Sequence, residues 1–242
     1  MTQALPVTVT LAMPKTVAIV QSNYIPWKGY FDLIRSVDEF ILFDDVQYTH
    51  HDWRNRNRIK TRQGTQWLTV PVNVSGKFGQ KIKDALVSKQ SWAKKHWATL
   101  VQNYSRAAYF SAYSQVFEAL YLECEEVYLS RINQQFIVAI CSVLGIRTKI
   151  VTSADYELIE GKTARLVSLC QQASATEYLS GPAAREYLDE DQFREAGISL
   201  RYVDYSDYPE YPQLHPPFDH FVTVLDLIFN TGSDALKHMK RL

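Results

Sequence analysis

The sequence predicts an α/β protein built on a mostly parallel sheet of Rossmann-like type, and three observations predict it. Short apolar runs at 17–22, 39–44, 147–152, 176–179 and 198–203 have strand length and β-branched or aromatic content. Segments of helical periodicity separate them, which is the pattern of parallel β-α-β units. Polar or glycine-containing turns follow several of the runs, where such sheets place ligands.

The first strand breaks at Gln21-Ser22-Asn23 and meets a proline-aromatic corner, Tyr24-Ile25-Pro26-Trp27. Pro26 directs Ile25 towards an extended backbone, so the next helix begins after it. From Gly29, the residues Tyr30, Phe31, Leu33, Ile34 and Val37 recur at helical spacing. The second strand ends in Asp44-Asp45. Residues 66–72 read as an edge strand closed by Pro71, and residues 84–88 as a short strand. Ser91 is placed to cap the following helix. Residues 90–145 are expected to be a helical insertion of three helices, the last running from Leu129 to Leu144 and stopping at Gly145. Gly161-Lys162-Thr163 opens another helix but lacks the first glycine of a phosphate loop, since position 156 is Tyr156. What survives there is a modest anion site at Lys162, Thr163 and Arg165. The stretch 204–220, rich in tyrosine and proline, reads as an ordered loop packed across the domain face, followed by a helix over Phe218–Asn230 that stops at Gly232.

Composition narrows the function. The chain has 242 residues, enough for a single domain over 17–242 behind a flexible N-terminal extension at 1–16. Lys plus Arg and Asp plus Glu both number 26, and the zero net charge argues against a nucleic-acid partner. Cys124, Cys141 and Cys170 are widely spaced, giving buried thiols rather than a disulfide framework or zinc knuckle. No apolar run reaches the roughly 20 residues of a membrane span, and the first residues do not form a signal peptide. The expected location is the cytoplasm.

Candidate site residues gather in the first third. Asp44 and Asp45 at a strand end could take a proton, orient a hydroxyl or hold Mg2+. Arg54, Arg56 and Arg58 can grip phosphate or carboxylate, with Asn55 and Asn57 adding directional bonds. If the segment is extended, the arginines share one side and the asparagines the other. His51, beside His50, is a candidate proton acceptor, whereas adjacent histidines do not suit a zinc site. Gln21, Asn23, Tyr24, Trp27, Lys28 and Gly29 form the first-strand loop, and Ser180-Gly181 a later strand-end turn; all are candidate binding positions. The glycine loop at 76–79 and the 204–220 loop are candidate lids.

The strings QSNYIPWKGYFDLI, DDVQY (which brings in Gln47), WRNRNRIKT and WLTVPV resemble the WbqC-like family of bacterial proteins. The later SGPAAREYLD, YPQ and VLDLIFNTG are similar to its C-terminal half, so the resemblance spans about residues 17–232. It implies a place in O-antigen, lipopolysaccharide or other surface-polysaccharide pathways, with modification of amino sugars. A remoter likeness is to nucleotidylyltransferases and pantothenate-synthetase-like ligases. There an HxGH turn stabilises phosphate; here Trp27-Lys28-Gly29-Tyr30 keeps the glycine and lacks both histidines.

The expected function is a transferase or ligase forming an amide on a nucleotide-linked amino sugar. Asp44, Asp45 or His51 would take the amine proton, and the arginines would bind the anion. A nucleotidyltransferase and a noncatalytic binding or scaffold protein are the alternatives. No metal or dinucleotide motif is present in the sequence, leaving ATP with Mg2+ as the open cofactor and a homodimer as the open assembly.

Overall fold

The computed structural model describes residues 13–242, so most of the extension expected at 1–16 lies outside the described residues. Thr16 already belongs to the sheet, and Lys15 is bonded at its edge. The Lys15 ammonium bonds Glu39 at 3.0 Å and the Ala173 carbonyl at 2.7 Å, and Thr16 opens the first strand.

That strand, β1 (Thr16–Val20), is followed by α1 (Lys28–Arg35) and β2 (Glu39–Leu42). The chain then leaves the sheet for a hairpin, β3 (Arg56–Thr61) and β4 (Gly64–Thr69), and three helices, α2 (Ser91–Tyr104), α3 (Phe110–Leu122) and α4 (Leu129–Val143). It returns as β5 (Lys149–Thr152), α5 (Lys162–Gln172), β6 (Glu177–Ser180), α6 (Glu190–Glu195) and β7 (Ser199–Tyr202), and ends near α7 (Val224–Thr231). The strands form one sheet in the order β5-β2-β1-β6-β7, every neighbouring pair parallel. Strand order therefore reverses between β1 and β6, the crevice where doubly wound sheets receive ligands.

The period-two alternation of the strands divides the core. Val17, Ile19, Ile41 and Phe43 turn to one face and pack on Leu169 and Cys170 of α5 and Phe193 of α6. Ala18, Phe40 and Leu42 turn to the other, against Phe31 and Ile34 of α1 and the larger core of α2, α3, α4 and α7. Burial on both faces explains why these runs are continuously apolar. No helix among the described residues is long and apolar enough to cross a membrane.

Four local expectations are corrected. Ile25 has φ +38°, in the left-handed region rather than extended, because hydrogen bonds described below hold it there. Residues 84–88 form no strand; a 3-10 turn occupies Ile82–Asp84, and Leu86 and Val87 make single bridges to Tyr128 and Val72. Ser91 is the first residue of α2 and does not cap it; Gln90 precedes the helix and no side chain bonds its first turn. The last helix begins at Val224, since Thr223 Oγ1 accepts from Leu225 N at 3.3 Å and so fixes its start. Its stop at Gly232, with φ +55°, agrees with the sequence reading.

Candidate functional site

The turn after β1 holds a non-glycine residue in left-handed backbone. Ile25 is wholly buried, and it is β-branched and precedes proline, two features that oppose a positive φ. The turn is held from outside. Asn57 Nδ2 donates to the Tyr24 and Ile25 carbonyls at 3.2 and 2.9 Å, while its Oδ1 accepts Arg58 N at 2.8 Å. Tyr24 N donates to Trp53 O at 3.0 Å, and Val224 N to Pro26 O at 2.9 Å. Strain held by surrounding structure is typical of ligand sites.

Beside this turn lies a cavity of about 280 Å3 lined by Asn23, Pro26, Trp27, Trp53, Asn57 and Phe221. Trp27 forms its aromatic wall, packed against Tyr205, Tyr208 and Phe221 at ring separations of 5.2, 5.5 and 5.9 Å. Gly29 permits this placement, because a Cβ there would overlap the Trp27 indole. Arg54 reaches under the rim to the side-chain oxygens of Asn23 and Gln21. Asn133 Nδ2 ties the Ser22 hydroxyl to the Arg54 carbonyl at 3.0 and 2.8 Å. Flat apolar walls with two amides and an adjacent guanidinium suit a polar ring joined to an anion.

The hairpin separates the basic segment into two groups. Asn57 is buried, and buried Asn55 donates to Val70 O at 2.8 Å. Arg56 and Arg58 turn outward, where their guanidinium carbons lie 4.1 and 5.8 Å from the Trp67 ring. Trp67 packs on Trp53 at 5.4 Å, joining this face to the cavity. Arg58 pairs with Asp219 at 3.9 Å, and Arg56 meets the exposed His51 ring at 3.5 Å.

The two acids point apart. Asp44 is buried and accepts Ser22 N at 2.8 Å; burial pushes its carboxyl above the ordinary value, against Ser22 hydrogen bonds and the Arg54 charge. Asp45 is held by Lys81 and Lys83 at 3.3 and 2.5 Å and by the Ser153 hydroxyl at 2.9 Å. Burial raises it, but those bonds outweigh burial and hold it below the usual carboxylate value. Gln47, which is exposed, bridges to Lys81.

Several expected binding residues point elsewhere. Tyr24 is wholly buried among the helices, its hydroxyl 2.8 Å from His96 Nδ1 and 2.7 Å from the Tyr121 hydroxyl. Lys28 is buried in a cage of Tyr208, Tyr211 and Phe218 and donates to Pro209 O at 2.9 Å. Burial lowers its pKa to about 8. This bond and the aromatic contacts fix the 204–220 segment against the back of Trp27. Ser180 and Gly181 sit at the end of β6 and do not line the cavity. Near Lys162, Thr163 accepts Asp189 N and Arg165 bonds Ile159 O and Glu160, so both are engaged locally. The 76–79 loop presents Phe78 fully to solvent between two positive-φ glycines.

Pro26, Trp53 and Phe221 line the cavity and escape the sequence reading. Trp53 had a signal, standing directly before the arginine-asparagine run; nothing in spacing connects Phe221 to it.

Comparison with known proteins places the sequence in a family. The WbqC-like protein family matches residues 21–238. An uncharacterized protein of Mycobacterium tuberculosis, Rv1507c, is 55% identical over 226 residues, covering 93% of this chain and 98% of that protein. No solved structure matches the chain. The match takes in the strained turn, the hairpin and the aromatic strap together, and the chain belongs to the WbqC-like protein family.

Proposed function

We propose that the chain is an enzyme of surface-polysaccharide amino-sugar modification that forms an amide on a nucleotide-linked amino sugar. The observation that carries this reading is the cavity: tryptophan walls for a sugar ring, Asn23 for a hydroxyl or its amide, and arginines beside it for the linked phosphate. In the proposed step the sugar amine attacks the acyl carbon of an acyl donor, or of a carboxylate activated by ATP. The amine proton passes to Asp44 or His51, and the donor's leaving group departs. Asp44 suits the role better than Asp45. It adjoins the cavity through Ser22, the neighbour of Asn23, whereas two lysines and a serine occupy Asp45.

The test is incubation of the pure protein with a nucleotide-linked amino sugar and a panel of acyl donors and amino acids, with and without ATP and Mg2+. A product heavier by the acyl group supports the reading. No product with any donor, beside an active control enzyme, overturns it. A noncatalytic binder is the second reading, favoured by the full engagement of Asp45. It expects sugar-nucleotide binding that Asp44→Asn leaves intact and no turnover.

A further inference from the structure

The outward face of the β3–β4 hairpin gathers positive charge that the protein leaves largely uncompensated. Cross-strand pairing sets Arg58 opposite Trp67 and Arg56 opposite Thr69, so both guanidinium groups flank one indole. Arg56 has no carboxylate within 4 Å among the described residues, and Arg58 has only Asp219 at the limit of that range. The Nε–H groups of both arginines are covered by protein yet meet no acceptor. Two like charges beside one ring repel, and stacking on the indole orients their remaining donors outward as planar forks. Trp53, shared between this face and the cavity, makes the two continuous.

We propose that Arg56, Arg58 and Trp67 form a diphosphate-binding platform adjoining the cavity, with the guanidinium edges gripping the phosphate oxygens. It deepens the function proposed above by dividing the substrate: the sugar in the cavity, the diphosphate on the hairpin. A diphosphate joined to a sugar has two sources, a nucleoside diphosphate or a polyprenyl carrier, and both present the same oxygens to this face.

Titration calorimetry with inorganic pyrophosphate, UDP and farnesyl diphosphate tests the assignment on wild type, the double variant Arg56→Gln/Arg58→Gln, and the cavity variant Phe221→Ala. Saturable binding of at least one probe is expected, weakened about tenfold or more in the double variant and changed less than about twofold in Phe221→Ala. A preference for UDP supports the nucleotide source, a preference for farnesyl diphosphate the lipid carrier, and equal binding a grip on the diphosphate alone. Circular dichroism establishes that each variant is folded, and Trp67→Leu gives an independent weakening if the arginine pair does not fold. The platform is overturned if no probe binds wild type, or if the double variant and Trp67→Leu bind as wild type does. Amide product with arginine-independent pyrophosphate binding removes the platform and leaves the enzyme reading standing. Arginine-dependent binding without product does the reverse.

Discussion

Asn57→Ala is expected to loosen the turn on which the cavity depends. The side chain is buried and makes three hydrogen bonds, two to the carbonyls of Tyr24 and Ile25 and one from Arg58 N. At about 1 kcal/mol net for each bond, the three lost bonds cost about 3 kcal/mol before the turn relaxes. The left-handed Ile25 backbone stores about 1–3 kcal/mol, which is released once the clamp is gone, so the net loss falls to about 0–2 kcal/mol as the turn moves towards the extended form preferred before proline. Pro26 and Trp27 move with it, so the cavity loses two of its walls. Urea unfolding followed by circular dichroism measures the first effect, and for a chain of this size the net loss corresponds to a fall in Tm of at most about 8 °C. Tryptophan fluorescence of the native state, altered as Trp27 shifts, measures the second. Asn57→Asp should be worse than alanine, because an acceptor-only carboxylate then faces two carbonyls. A loss below about 1 kcal/mol with unchanged fluorescence would refute the clamp.

Gly29→Ala should displace the Trp27 indole, costing about 1–3 kcal/mol by overpacking and weakening ligand binding measured calorimetrically. Burial pushes Asp32 up to about 6, so the native state holds this proton more tightly than the unfolded chain. Stability should therefore fall as pH rises from about 4 to about 6 and then level, and Asp32→Asn should flatten that slope in urea titrations. Asp45 has the opposite sign. Its folded value is depressed by Lys83, Ser153 and Lys81 against the effect of burial, so its contribution is present at neutral pH and lost on acidification below its ordinary value of 3.8. Asp45→Asn should destabilise at pH 7, with the difference from wild type shrinking in strong acid. Burial pushes the thiols of Cys141 and Cys170 up to about 12, so mass spectrometry after brief iodoacetamide treatment should find neither modified until the chain unfolds.

The sheet was legible because each strand is a short apolar run buried on both faces, a pattern unlike an amphipathic helix. Its position as first strand and central strand also put the loop after β1 at the switch in strand order. Side-chain direction was not legible in the same way. Tyr24 and Asn23 are neighbours of similar promise, yet one enters the helical core and the other the cavity, and the left-handed Ile25 that follows has no sequence signal. The partners of Asp45 lie at Lys81 and Lys83, on a segment whose return depends on tertiary packing rather than local pattern. Lys28 looked like an anion ligand because its aromatic cage comes from the far end of the chain. Alternation along β3 could be stated as a condition, while the indole that gathers Arg56 and Arg58 came from register with β4.

The place of β1 has a consequence for folding order. It pairs locally with β2, but its other neighbour is β6, with Thr16 opposite Glu177 and Val17 opposite Tyr178. Contacts so distant in sequence carry a large loop-closure cost and slow the search for the native state. The cavity wall at Phe221 and the backbone bond from Val224 to Pro26 arrive later still during synthesis. A ribosome-bound chain ending before that point can hold the sheet's first strands but not the closed site, so ligand should stabilise the released protein and leave the shorter nascent chain unaffected.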